Sequence, residues 1–340
     1  MVLAPVPELA DQLGRPLGDL RVSVTDRCNF RCRYCMPREH FDRDHRYLPR
    51  AEILSFEEIT RVVSALVPLG LRKVRLTGGE PLLRHDLPEL VRMLARLPGL
   101  DIALTTNGSL LAKQARALRD AGLGRLTVSL DSVSPEVFAS MTDSELPVTE
   151  VLAGIEAAHA AGFGPLKINA VVRRGVNDHT LIALARQFKG SGDIVRFIEY
   201  MDVGLTNGWR RDQVMSGREI VARITAELPI EPADAGYRGE VAKRYRYLDG
   251  SGEIGVITSV TQPFCGNCTR LRLSADGNLY GCLFARVGRD LRPTLRTSTD
   301  DAQLVQTLRD FWQARGDRYS ELRSAGTVRL PRLEMSYLGG

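Results

Sequence analysis

The stretch Ser23-Val24-Thr25-Asp26-Arg27-Cys28-Asn29-Phe30-Arg31-Cys32-Arg33-Tyr34-Cys35-Met36-Pro37 decides how the chain is read. It begins at the end of an apolar, β-branched run, Leu20–Val24, whose composition predicts a strand. Five similar runs follow: Lys73–Thr77, Asp101–Thr105, Arg125–Leu130, Leu166–Val172 and Ile194–Tyr200. Segments of helical period lie between them. Ser55 and Glu58 form a capping box that starts a helix over Phe56–Leu66. Asp86 is placed to cap Leu87–Leu97, and Gly122 and Gly162 to end helices over Leu110–Ala121 and Val148–Ala161. Six βα units at this spacing predict a parallel sheet with right-handed crossovers, curled into an incomplete (β/α)6 TIM-like barrel. The cysteine loop then lies at the C-terminal end of the first strand, where such folds put their chemistry.

Beyond Val203 the pattern changes. A helix near Arg218–Leu228 leads into a hairpin, Tyr245–Leu248 and Glu253–Thr258 across Asp249-Gly250-Ser251-Gly252. A second cysteine group and a helix near Asp301–Ala314 follow. The change of pattern falls within 205–240, which divides the chain into a barrel unit, 1–225, and a C-terminal unit, 226–340. No apolar run reaches the roughly 20 residues that span a bilayer, and the N-terminus lacks a basic segment followed by an apolar one. A cytoplasmic protein without a membrane partner is expected. Net charge is +5, from 46 Lys+Arg against 41 Asp+Glu, and the arginines are scattered rather than massed on one segment. That suits a basic cleft for a phosphorylated ligand as well as a solvated surface, and argues against DNA or RNA as partner.

The six cysteines fall into two groups of three, Cys28, Cys32, Cys35 and Cys265, Cys268, Cys282. Disulfide frameworks belong to small secreted chains, so metal ligation is the better reading. Three thiolates on a four-iron cluster leave one iron open to a substrate or cofactor, since a complete set would be four. The alternative is tetrahedral zinc, with His40 or His45 completing the first group and Asp276 the second. Gly78-Gly79-Glu80-Pro81 follows the second strand. Its glycines permit close backbone approach to a ligand, and Glu80 offers a carboxylate to an ammonium group. After Cys268, strand alternation puts Arg270 and Arg272 on its face of the chain, a fork suited to phosphate oxygens. The competing reading is a solvated strand face.

Cys-x3-Cys-x2-Cys followed by Gly-Gly-Glu-Pro resembles the radical S-adenosylmethionine (SAM) superfamily. Three-plus-three cysteines, Ser23–Pro37, Lys73–Arg84 and the terminal Gly339-Gly340 resemble more narrowly the GTP 3′,8-cyclases of molybdenum cofactor biosynthesis, over nearly the whole chain. The resemblance implies a lyase with two [4Fe–4S] clusters on Cys28, Cys32, Cys35 and Cys265, Cys268, Cys282, with SAM as cofactor and GTP as substrate. In that family SAM is cleaved to a 5′-deoxyadenosyl radical, a hydrogen leaves C3′ of the ribose, and C3′ closes onto C8 of guanine. The product is (8S)-3′,8-cyclo-7,8-dihydroguanosine 5′-triphosphate. By the same resemblance Tyr34, Gly79, Ser129 and Met201 contact SAM, and Arg21, Arg75, Thr106, Lys167, Arg270 and Arg272 contact GTP. It also implies a flavodoxin or ferredoxin reductant, cyclic pyranopterin monophosphate synthase as the next enzyme, a homodimer, and a Gly-Gly tail able to reach the active site. Two other readings are another two-cluster radical SAM enzyme, such as a peptide-modifying one, and a zinc-stabilised nucleic-acid-binding protein.

Overall fold

The computed structural model describes residues 9–237, 239–323 and 332–339. Six parallel strands form its centre: β1 (Asp19–Ser23), β2 (Lys73–Thr77), β3 (Asp101–Thr106), β4 (Arg125–Ser129), β5 (Lys167–Val172) and β6 (Ile194–Glu199). They pair in chain order, β1 to β6. Between them run α1 (Phe56–Leu66), α2 (Leu87–Ala95), α3 (Leu111–Asp120), α4 (Pro135–Thr142), α5 (Val148–Ala160) and α6 (Leu181–Phe188). The outward residues of the strands, such as Leu20, Val22, Val74 and Leu76, are fully buried with the apolar faces of these helices. The inward residues are mostly polar. This is the incomplete (β/α)6 barrel expected from the sequence.

The capping box at Ser55 is present, with Glu58 N–H donating to the serine and the Glu58 carboxylate accepting from Ser55 N–H. Asp86 behaves otherwise. Its backbone is left-handed (φ 56°) and its side chain makes no capping hydrogen bond; the carboxylate turns to His85 Nδ1 at 2.7 Å instead. A cap needs extended backbone to aim its side chain at the first turn, and the left-handed turn removes that aim.

The C-terminal residues do not stand apart from the sheet. After α7 (Gly217–Glu227) come β7 (Ile230–Ala233), β8 (Lys243–Tyr247), β9 (Glu253–Ile257), β10 (Arg270–Leu273), β11 (Asn278–Tyr280) and β12 (Arg289–Asp290). Strand β9 joins β6 in parallel and carries β8 and β7, whereas β10 joins β1 in parallel and carries β11 and β12. A single twelve-stranded sheet results, its two edges both built from the end of the chain. Helices α8 (Arg292–Thr297), α9 (Asp301–Gln313) and α10 (Met335–Leu338) complete the described chain. Among the described residues no helix is long and apolar enough to cross a membrane.

Candidate active site

Because β10 runs parallel to β1, Cys268 precedes its strand while Cys28 follows its own. The two cysteine groups therefore occupy opposite ends of the barrel. The five residues of β1 separate them, a rise of about 17 Å. The second group thus does not face the first across one mouth of the barrel.

At the C-terminal ends of the strands, Gly79 N–H donates to Thr25 O at 2.8 Å and Glu80 N–H to Arg27 O at 2.7 Å. A Cβ on Gly79 would stand 2.2 Å from Arg27 O. The glycine is thus required by the backbone at the stem of the cysteine loop. Glu80 is fully buried and accepts from Leu82 N–H (3.0 Å), Asn107 N–H (2.7 Å) and the Thr106 hydroxyl (2.7 Å). Burial pushes its carboxyl up to about 7 against those three donors. Glu80 binds loops together; the expected role toward an ammonium group is taken up by chain donors. Within the cysteine loop, the N–H groups of Cys35 and Met36 both donate to Cys32 O at 2.9 Å. Burial pushes the Cys28 thiol up to about 11, with the Glu80 charge adding to it. Cys32 and Cys35 are raised further, by burial and then by the neighbouring cysteines. Three thiols that oppose one another's ionisation fit a polycation that takes up their negative charge, as iron in a cluster does.

Tyr34, in the same loop, donates its hydroxyl to Asp131 Oδ2 at 2.8 Å, and Asp131 Oδ1 accepts Val171 N–H. Ser129 ends β4, on the inward face that Thr127 shares, and half-buried Met201 follows β6. Tyr34, Gly79, Ser129 and Met201 thus all belong to the C-terminal ends of parallel strands or their loops.

Below this end the barrel holds a row of cations. Register aligns Arg272, Arg21 and Arg75 across β10, β1 and β2. Arg75 Nη1 donates to Thr105 and Thr127, both at 3.0 Å. Lys167 on β5 is pushed down to about 8, by burial first and then by Arg196 and Lys73. Arg21 is lowered well below its usual range by burial and by Arg272 and Arg270, and its buried Nε finds no partner. The nearby carboxylate is Asp19, 3.6 Å from Lys73 Nζ. Buried like charges with an orphaned donor want an anion, and a triphosphate supplies several charges at once.

Thr106 is not part of this row. Its hydroxyl is committed to Glu80 on the other face of β3, and Thr105 is the threonine beside Arg75. Successive strand residues face opposite sides, so Thr105 and Thr106 cannot share the inward face. Arg196 and Lys73 are the residues that sequence reading passed over. Arg196, half-buried and lowered to about 10 by desolvation and then Arg75, donates from Nε to Asn169 Oδ1 at 2.9 Å. The signal was available, since Ile194, Arg196 and Ile198 alternate in the strand as Arg21 and Lys167 do in theirs.

At the opposite end, Cys265 and Cys268 flank a single tight turn before β10 and Cys282 follows β11. Arg270 Nε donates to Cys268 Sγ at 3.3 Å and Arg315 Nη2 to the same sulfur at 3.2 Å. Burial alone would raise the Cys268 thiol; Arg270 and Arg315 overcome it and hold the thiol at about 6. Asp276 accepts from Ser274, Asn278 and Tyr337 and is not directed at these cysteines. His45 packs between Phe41, at a tilt, and Tyr47, edge-on. Among the described residues no three histidine, cysteine or carboxylate groups converge closely enough for a single metal ion. Three thiols in each group, as ligands, suit a four-iron cluster held by thiolates with one iron left open. Gly339 O accepts from Arg272 Nη1 at 2.5 Å, so the tail reaches the cation row; Gly340 lies outside the described residues.

Two family models match the chain. The family model "Radical SAM superfamily" matches residues 22–188, and "Molybdenum Cofactor Synthesis C" matches 193–321. A GTP 3′,8-cyclase of Acidothermus cellulolyticus is 59% identical over 93% of this chain and 89% of its own. The chain belongs to the GTP 3′,8-cyclase family. Another member, from Xanthomonas axonopodis pv. citri, is 50% identical over 98% of this chain and 99% of its own. Among solved structures, Streptococcus suis SuiB bound to precursor peptide SuiA superposes with a TM-score of 0.62 at 15% identity, covering 91% of this chain and 67% of that one. That likeness is one of fold. Membership in a GTP 3′,8-cyclase family makes this a radical SAM enzyme of molybdenum cofactor synthesis, with SAM and a [4Fe–4S] cluster as cofactors. The C-terminal cysteines fit a second cluster. The peptide-modifying and nucleic-acid-binding readings give way to this one.

Proposed function

We propose that this chain closes C8 of the guanine of GTP onto C3′ of its ribose, giving (8S)-3′,8-cyclo-7,8-dihydroguanosine 5′-triphosphate. The observation that carries the assignment of parts is the unmatched cation row between two cysteine groups at opposite ends of one barrel. Cys28, Cys32 and Cys35 would hold one four-iron cluster and Cys265, Cys268 and Cys282 the other. When bound, the first cluster with SAM supplies one-electron cleavage and hydrogen-atom abstraction.

The chain's own residues bind and orient. Arg21, Arg75, Lys167, Arg270 and Arg272 take the triphosphate, joined by Arg196 and Lys73. Thr105 stands in the place first given to Thr106. Tyr34, Gly79, Ser129 and Met201 line the SAM end, with Asp131 fixing the Tyr34 hydroxyl. Holding C3′ and C8 of one molecule in reach is the main thing an enzyme adds to a cyclisation. The row is partly or fully buried, and the lower local dielectric strengthens each cation's pull on phosphate.

A division of labour between residues 1–225 and 226–340 belongs to the same proposal, as do a cytoplasmic setting, a flavodoxin or ferredoxin reductant, pairing of two copies and hand-over to cyclic pyranopterin monophosphate synthase. Six free cysteines suit a reducing compartment. The test is iron and zinc content after anaerobic reconstitution, with spectra before and after SAM and GTP. About eight irons per chain, the sum of two four-iron clusters, with distinct perturbation by each ligand, is expected. Zinc in place of the second cluster would overturn the role given to the C-terminal cysteines.

A further inference from the structure

All three C-terminal cysteine segments rest on one buried carboxylate. Asp11 accepts Leu13 N–H at 3.0 Å and Arg15 N–H at 2.9 Å on Oδ1. On Oδ2 it accepts Arg15 Nε at 2.7 Å and Arg315 Nη1 at 2.8 Å. Both guanidiniums then turn to the cysteine loops. Arg15 Nη1 donates to Cys265 O at 2.9 Å and to Asp317 O at 2.7 Å. Arg315 donates from Nε to Gly281 O, the peptide before Cys282, at 2.8 Å, and from Nη1 to Cys268 O at 3.1 Å. Its Nη2 meets Cys268 Sγ at 3.2 Å. The guanidinium lies over the Trp312 ring, and Trp312 Nε1 donates to Arg15 O.

A guanidinium that only fastened α9 to the barrel would be satisfied by carbonyls and Asp11. The bond to sulfur is the one directed at a metal ligand. Cys268 has a second such partner in Arg270, a residue also assigned above to the triphosphate. Arg315 is committed through every nitrogen, and its side chain is only 2% exposed. At the other end of the barrel the sulfur contacts of Cys28 are the neutral Phe30 N–H and, at 3.9 Å, Asn107 Nδ2. Hydrogen bonds and positive charge at a cluster sulfur stabilise the reduced, more negative cluster.

We propose that Arg315, pinned by Asp11, is a positioning residue that fixes the Cys268 and Cys282 segments and raises the reduction potential of the C-terminal cluster. This rests on the reading that Cys265, Cys268 and Cys282 hold a cluster. The test is a redox titration of the reconstituted whole chain, followed by electron paramagnetic resonance without SAM or GTP. Parent, Arg315→Met and Arg315→Lys are compared. The same titration of a Cys28→Ala/Cys32→Ala/Cys35→Ala variant assigns the C-terminal wave.

The C-terminal wave should shift to lower potential in Arg315→Met and by less in Arg315→Lys, while the N-terminal wave stays in place. Iron at the C-terminal site should also be lost faster to a chelator. Should Arg315→Met fail to fold, Arg315→Lys, which keeps a cation beside Asp11, decides alone. A C-terminal wave unmoved from the parent overturns the inference, even if yield or melting temperature falls, because a purely structural role predicts that result. A parent holding no C-terminal cluster would overturn the cluster reading itself, and this inference with it.

Discussion

The two ends of the barrel hold the same three thiols in opposite electrostatic settings. Cys28, Cys32 and Cys35 are raised by burial, by one another and by the carboxylates Glu80, Asp131 and Glu334. At the other end Cys268 lies between Arg270 and Arg315 and is held at about 6, although Cys282 stays up at about 11 through its burial. Identical ligands on one scaffold are thus given different work by their neighbours. The end that holds Cys28 is lined by carboxylates, whereas at the other end Cys268 meets two arginines, of which Arg270 also belongs with the cations of the barrel.

The largest test of this contrast removes one cysteine from each end. Cys28→Ala should abolish SAM cleavage, whereas Cys268→Ala should keep some SAM cleavage and lose GTP cyclisation, measured as 5′-deoxyadenosine against cyclised product. Equal loss of SAM cleavage in both would break the comparison. Next in size is Arg21→Leu. Each charge-assisted contact to phosphate is worth about 1.5–3 kcal/mol, so GTP affinity should fall roughly 10- to 150-fold while SAM affinity holds. The ligand-free protein should unfold at equal or higher urea, because a buried, unmatched cation has gone. A drop in SAM affinity comparable to that for GTP would show that the ends are not separate.

The smallest effect is one of pH. Lys167 titrates at about 8, pushed down by burial and by Arg196 and Lys73. Its protonated form is the one that attracts triphosphate, and bound phosphate raises its pKa. GTP affinity should therefore be highest below pH 8 and weaken as pH rises through 8, by up to about tenfold per unit for this lysine. Lys167→Gln should flatten that slope, as read by calorimetry across pH 7 to 9.5. A slope unchanged in the variant would place the titrating group elsewhere.

Much of this was legible in the sequence because the signals are local. The six strands, the helix started by Ser55 and Glu58, and both cysteine groups depend on spacing along a few residues. Arg21, Arg75 and Lys167 came from the resemblance to GTP 3′,8-cyclases, and the two-residue period of a strand agrees with their facing into the barrel. That period also includes Arg196, which was passed over, and it selects Thr105 rather than Thr106 for the inward face of β3. Asp86 failed as a cap for a backbone reason that no residue type announces.

What the sequence by itself determined is the chemistry of the ligands and the order of the βα units, since both follow from residue identity and short-range period. Only the tertiary structure decided which end of the barrel each cysteine group occupies. That depends on β10 pairing in parallel with β1 across some 250 residues of chain, a partnership fixed by long-range burial and hydrogen bonding. The same pairing stacks Arg272 on Arg21 and Arg75, and the packing of α9 brings Arg315 to Cys268. Charges brought together from distant segments leave no periodic trace in the sequence, and at both ends of this barrel they set what the cysteines can do.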